Sequence, residues 1–310
     1  MSAKSKPKLL YISCYGRSGS TLLDNSLSVI DDFFSVGEAS YFWTRGLKEN
    51  YYCGCGKRFN ECVFWKEVVK KAFSEIDNST LDDMADILKP LSKHKLDILL
   101  KRNTARVNQA VEVLDKLYKT IANVSGSTVI VDSSKWPMYG ELLSQLPSVE
   151  FYAIHLIRDP RAVSFSWMNR KKYEPFNDSD FYTPIYSSFR SSSEWMALNT
   201  VFNYLKRGSK KNIFLLRYED FANDPKGEIN NILNFLNKKK SKNPVQKGNH
   251  VVFGENHSLS GNPIRFVRGK VKIKLDEKWK REMGLMGKLT TTAITLPYLV
   301  HYGYLSRKKD

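Results

Sequence analysis

Leu9-Leu10-Tyr11-Ile12-Ser13-Cys14-Tyr15-Gly16-Arg17-Ser18-Gly19-Ser20-Thr21 is the stretch that decides the fold. An apolar, β-prone run ends at a glycine, and from Ser20 to Ile30 apolar residues recur at helical spacing. The stretch therefore reads strand, Gly-rich turn, helix. Such a turn aims backbone N–H groups and the helix dipole at one point, which makes an anion site. A nucleoside triphosphatase would carry lysine between Gly19 and Thr21, where this chain has Ser20. The lysine that reaches the outer phosphates of ATP is absent, which disfavours an ATPase or GTPase. The basic residue of the loop is Arg17, placed to meet a group in transfer.

Working outward, residues 128–131, 151–157 and 212–216 share the β-rich, apolar character of the first run, and a turn and a helical pattern follow each. Strands that alternate with helices predict an α/β, P-loop-like fold with a mostly parallel central sheet flanked by helices. Residues 60–123 are helical by pattern and rich in Lys, Leu and Asp. They are expected to form a helical insertion or cap within a single domain spanning 1–310, with a further packed helix over 285–304.

Lys+Arg 49 against Asp+Glu 32 gives a net charge of +17, so the surface attracts anions. Nucleotides, sulfated sugars, nucleic acid and anionic membrane surfaces all meet that description. The polar, lysine-rich start has no signal-peptide core, and no run of about 18 apolar residues appears, so a cytoplasmic protein without a membrane span is expected. Four cysteines are too few for a disulfide scaffold in a chain of 310 residues.

A second constellation sharpens the phosphate loop. In Ile157-Arg158-Asp159-Pro160-Arg161-Ala162-Val163-Ser164-Phe165-Ser166 an arginine closes a strand, and a serine follows about two helical turns later, so both suit one phosphate. The Arg17 loop and this segment together resemble the paired signatures of sulfotransferases that use 3′-phosphoadenylyl sulfate. The resemblance implies that Arg17, Ser18, Gly19, Ser20 and Thr21 hold the 5′-phosphosulfate and that Arg158 and Ser166 hold the 3′-phosphate. Within that superfamily the pattern is similar to tyrosylprotein and related bacterial enzymes. These place a Gly-Glu pair with the glutamate twenty-one residues after the loop arginine, which here is Glu38 after Gly37. The implied base is Glu38, and a carboxylate suits removal of a hydroxyl proton. Lys135 in Asp132-Ser133-Ser134-Lys135 matches a family lysine, and no histidine stands there as it does in cytosolic small-molecule sulfotransferases. The resemblance also implies nucleotide contacts from Arg170 and Tyr218, and, with a looser match, from Ser258, Arg265 and Lys272 in a late loop. The donor is then 3′-phosphoadenylyl sulfate, its product 3′-phosphoadenosine 5′-phosphate, and no metal is required. The acceptor is a hydroxyl of a carbohydrate, lipid, small metabolite or tyrosine, expected to lie against 60–123.

Other features weigh less. Cys53, Cys55 and Cys62 offer three thiols within ten residues, but no fourth metal ligand lies nearby in the chain. A zinc or disulfide set is one reading, but similar segments occur in bacterial sulfotransferases, so the expectation is a structural loop that carries at most one disulfide or an adventitious metal. His155 lies in an apolar strand and reads as a core histidine. A P-loop kinase acting on a small metabolite, a basic nucleic-acid-binding protein and a silent nucleotide-binding regulator are the competing readings. No nucleic-acid module is present to support the second.

Overall fold

A computed structural model describes residues 5–73, 77–88, 95–169, 184–207 and 212–305. Its centre is a sheet of five parallel strands in the order β2-β3-β1-β4-β5. The strands are β1 Lys8–Ser13, β2 Phe33–Gly37, β3 Val129–Lys135, β4 Glu150–Ile157 and β5 Asn212–Arg217. Four were expected from the sequence; β2 was not. The helices are α1 Ser20–Ser28, α2 Val63–Ala72, α3 Asn78–Ile87, α4 Lys95–Leu99, α5 Ala105–Ser125 and α6 Pro137–Leu143, and then α7 Pro160–Met168, α8 Ser188–Lys206, α9 Tyr218–Asn223, α10 Pro225–Phe235, α11 Lys278–Glu282 and α12 Leu285–His301. A small antiparallel hairpin, β6 His250–Phe253 with β7 Gly269–Lys272, stands apart from the main sheet.

β1 shows why the apolar run is continuous and not alternating. Leu9 and Tyr11 point into one core with Ile130 of β3, Leu114 and Leu117 of α5 and Leu142 of α6. Leu10 and Ile12 point into a second core with Leu23 and Leu27 of α1 and Ile229 and Ile232 of α10. A central parallel strand is covered on both faces, so both of its side-chain sets are apolar. The helical segment predicted over 60–123 is present as α2 to α5, and its buried residues, among them Trp65, Val68, Met84 and Leu114, belong to the first core. A third, smaller cluster joins Tyr15 and Ile157 at the strand ends to Trp195 of α8 and Tyr302 beyond α12.

His155 is buried in β4 as expected. Its Nε2 lies 2.8 Å from Asn199 Oδ1, and its ring stacks on Phe202 at 3.9 Å. Among the described residues no helix is long and apolar enough to cross a membrane.

The strand order positions the site. From β1 the chain goes by way of α1 to β2 on one flank, whereas β4 and β5 extend the sheet on the other. Loops at the carboxyl ends of the strands diverge at such a point and leave a crevice.

Candidate active site

Each strand of the sheet delivers a polar residue to that edge. β1 ends at Ser13 and leads into the loop that carries Arg17, β2 ends at Gly37 beside Glu38, β3 ends on Lys135, Arg158 follows β4, and Tyr218 follows β5. Between them lies a cavity of about 540 Å³, lined by these five residues together with Ser20, Thr21 and Ser166.

The loop after β1 is held in an unusual shape. Arg17 has φ 70° and Gly19, which precedes α1, has φ 91°. A Cβ on Gly19 would meet the Tyr218 ring at 2.5 Å, and one on Gly16 would meet Trp167 at 2.7 Å. Both positions need glycine because aromatic rings press on the backbone. The Arg17 guanidinium lies 4.9 Å from the Trp167 ring centre. Ser18 is buried at 1% exposure, and its Oγ has no hydrogen-bond partner among the described residues. Ser18 itself does not line the cavity, unlike its loop neighbours Arg17, Gly19, Ser20 and Thr21.

Glu38 and Lys135 form an ion pair at the cavity wall, with side chains 10% and 17% exposed. Burial pushes the Lys135 ammonium down, but the Glu38 charge pushes it up, and the net effect is upward. Lys135 has φ 76°, a conformation fixed by a network behind it. Cys14 N–H and Ser13 Oγ–H donate to its carbonyl at 3.2 and 2.9 Å. Asp132 accepts from the Ser134 N–H at 2.7 Å, and Ser134 Oγ in turn accepts from the Ser40 N–H at 2.9 Å. Ser133 donates to Asp24 at 3.0 Å. Burial raises both carboxyls, Asp24 to about 7 and Asp132 to about 6. Glu38 N–H donates to Leu259 O at 2.7 Å, which fixes its backbone from the late loop.

Arg158 reaches across the loop, with Nη1 donating to Arg17 O at 3.0 Å, and its guanidinium sits 4.5 Å over the Tyr218 ring. Its Nε has no partner among the described residues. Burial raises the Tyr218 hydroxyl, against the lowering effect of Arg158.

The remaining expected site residues lie elsewhere. Ser258, 2% exposed, donates to Asn256 Oδ1 at 2.6 Å. Arg265 is fully buried, and its Nη atoms donate to the carbonyls of Ser258 and Tyr52 at 2.7 and 2.9 Å. Lys272 pairs with His250 in the hairpin. None of the three lines the cavity, which the late loop reaches instead through Gly261, Asn262 and Ile264. Arg170 lies outside the described residues. No described residue of 60–123 lines the cavity either.

Sequence reasoning missed part of the wall. Arg45 lines the cavity, lies 4.2 Å over the Tyr41 ring and is hydrogen-bonded to Ser260. Trp167 stacks on Tyr186 at 4.6 Å, and Tyr15 donates to Glu194 at 2.8 Å. Just after Glu38, where the aromatic run Tyr41-Phe42-Trp43 suits either core or an acceptor pocket, Tyr41 lines the cavity, whereas Phe42 and Trp43 are buried in the first core.

The architecture defines a parallel α/β protein with a basic cavity at the carboxyl edge of its sheet, behind a phosphate loop that lacks the ATPase lysine. Residues 7–283 match the model of the family described as the sulfotransferase domain. The chain belongs to that family, whose reaction is sulfuryl transfer. Among solved structures, it is similar to the sulfotransferase domain from the curacin biosynthetic pathway, at 17% identity and TM-score 0.49 over 95% of this chain and 98% of that one. The sulfotransferase domain from the Synechococcus PCC 7002 olefin synthase gives 17% identity and TM-score 0.47, covering 96% of each chain. Sulfotransferase STF9 from Mycobacterium avium gives 12% identity and TM-score 0.48, over 96% of this chain and 77% of that one. No curated protein matches by sequence.

Proposed function

We propose that the cavity takes 3′-phosphoadenylyl sulfate as donor and that Glu38 removes the proton from a hydroxyl acceptor. The observation that carries this reading is the Glu38–Lys135 pair, a carboxylate and an ammonium on one wall of the cavity that the Arg17 loop also lines. The residues fit an anionic nucleotide. Arg158 lines the cavity and its Nε is buried without a partner among the described residues, and α1 starts from the loop of Gly16 and Gly19, so its N-terminus suits a phosphate.

When bound, the donor supplies the sulfuryl group and a phosphate leaving group. Arg17, Ser18, Gly19, Ser20 and Thr21 would hold its 5′ side, and Arg158 with Ser166 its 3′-phosphate. Tyr218 orients Arg158 through ring contact. As the acceptor oxygen bonds to sulfur and the sulfur–phosphate oxygen bond breaks, Glu38 takes the acceptor proton. Arg17 and Lys135 stabilise the charge that develops on the sulfuryl and phosphate oxygens, and such preorganised charge is the main protein contribution to a transfer of this kind. Tyr41, Trp136, Trp167 and Tyr186 form an aromatic wall that suits the apolar body of an acceptor. Residues 1–310 act as one domain in this reading, with 60–123 as a structural cap, and four free thiols suit a cytoplasmic setting.

Calorimetry with 3′-phosphoadenosine 5′-phosphate, followed by an acceptor screen with labelled donor, tests the reading. Micromolar binding and transfer to a hydroxyl are expected, and a chain that binds ATP in preference to the bisphosphate overturns it. Folded Glu38→Gln is expected to keep nucleotide affinity and to lose about 10²–10³ in rate. Full turnover by that variant removes Glu38 as the base.

A further inference from the structure

Away from the cavity, three thiols and an imidazole converge. Cys53, Cys55, Cys62 and His257 place their ligand atoms all within 4.8 Å of one another. Cys53 and Cys62 are fully buried, whereas Cys55 and His257 are half-buried. None of the four lines the cavity, and all the cysteines are free thiols. His257 Nδ1 lies 3.2 Å from Cys62 Sγ and 3.8 Å from Cys53 Sγ. A tetrahedral zinc ion with bonds of about 2.3 Å to sulfur and about 2.0 Å to nitrogen sets sulfur–nitrogen edges of about 3.5 Å, and the two observed edges straddle that value.

The surroundings fix each donor. Cys53 N–H donates to Lys57 O at 2.8 Å and Gly56 N–H to Cys53 O at 2.9 Å, so residues 53–57 form a tight knuckle. Gly56 has φ 90°, and Gly54 presses on the late loop so closely that a Cβ would fall 1.9 Å from Asn256 Oδ1. Cys62 lies at the start of α2. The imidazole of His257 stacks on Phe64 at 5.3 Å and 20° between planes, and Trp65 Nε1 donates to the His257 carbonyl at 2.8 Å. Such backing orients a ligand.

We propose that Cys53, Cys55, Cys62 and His257 form a structural zinc site that staples the late loop to the segment behind Glu38. Four protein ligands leave no open position, which is the arrangement of structural sites and not of catalytic ones. Binding converts the cysteine thiols to thiolates with release of their protons, while His257 lends the Nδ1 lone pair as neutral imidazole. The bond is long-range, because Cys62 and His257 are 195 residues apart. Two residues beyond His257, Leu259 accepts the Glu38 N–H at 2.7 Å and donates to Val36 O at 2.8 Å. Gly261, two further on, has a Cβ position 3.2 Å from Glu38 Oε1. The metal therefore holds the strip of chain against which the Glu38 backbone rests.

The test uses the full chain purified under reducing conditions. Mass-spectrometric metal analysis is expected to find one zinc per chain, released when the thiols are titrated with a mercurial. Cobalt in place of zinc is expected to give tetrahedral d–d bands and thiolate-to-metal charge-transfer absorption. Cys62→Ser is expected to weaken metal affinity more than about 100-fold, beyond the loss usual for groups that only back a ligand, whereas Cys14→Ser keeps the metal. Hydrogen exchange at the Glu38 and Leu259 amides is expected to accelerate once a chelator has removed the metal. Absence of bound metal after zinc reconstitution, a cobalt spectrum without thiolate charge transfer, or a disulfide among the three cysteines overturns the site, whether or not the serine variant folds. Unchanged exchange at both amides overturns the staple.

Discussion

Gly19 and Gly126 both sit at positive φ, 91° and 66°, yet their surroundings differ. Gly126 ends α5 with nothing within 4 Å of the point where a Cβ would stand, whereas at Gly19 the Tyr218 ring is 2.5 Å from that point. Gly126→Ala therefore costs only the left-handed backbone strain, about 1–2 kcal/mol, and leaves nucleotide binding alone. Gly19→Ala adds a clash that either displaces Tyr218 from Arg158 or opens the phosphate loop. A loss of about tenfold or more in affinity for 3′-phosphoadenosine 5′-phosphate is expected, equal to about 1.4 kcal/mol of binding. Thermal melts and calorimetry on the two variants separate the effects. Equal nucleotide affinity in both would show that the ring contact does not shape the loop.

At the scale of elements, His155 couples β4 to α8 through Asn199, and burial lowers its imidazole to about 3, well below the ordinary 6.5. A base whose folded value is depressed contributes stability that is present above the unfolded value and lost as pH falls below about 6.5 towards 3. Wild type is thus expected to lose stability relative to His155→Gln as pH drops from 7 to 4.5, by about 2–3 kcal/mol in the difference. Urea melts at the two values check this, and a constant difference would mean that His155 takes up its proton in the fold at the same pH as in the unfolded chain. The strand that carries His155 was legible in the sequence, as were β1, β3 and β5, because each is an apolar run closed by a turn. β2 was not legible, since Phe33–Gly37 is a short, mostly buried run of five residues that follows closely on α1, where periodicity does not separate strand from helix tail. Arg265 misled for a different reason. Its place in the late loop suggested an anion contact, but the loop folds back and supplies the Ser258 carbonyl to it instead. The thiols at 53, 55 and 62 were visible as a group, whereas His257 was separated from them by a distance along the chain that only the tertiary fold removes.

For the whole molecule, the net charge of +17 exceeds what one nucleotide site requires. Arg17, Lys135 and Arg158 line the cavity, whereas Lys239, Lys240 and Lys242 are exposed in the loop after α10 and do not line it. If the summed field steers an anionic donor, those remote lysines act on encounter and not on the bound state. The triple change Lys239→Gln, Lys240→Gln and Lys242→Gln is then expected to slow association of 3′-phosphoadenosine 5′-phosphate by about two- to threefold at 0.05 M salt, a small share of the 10–10³ range that steering spans. Dissociation should stay the same. The difference should vanish near 0.5 M salt, where the screening length falls to about 4 Å, well short of charges outside the cavity. Stopped-flow binding at both ionic strengths makes the distinction. A faster dissociation in the triple variant would place these lysines in contact with nucleotide, and an unchanged association rate at low salt would confine the useful charge to the cavity itself.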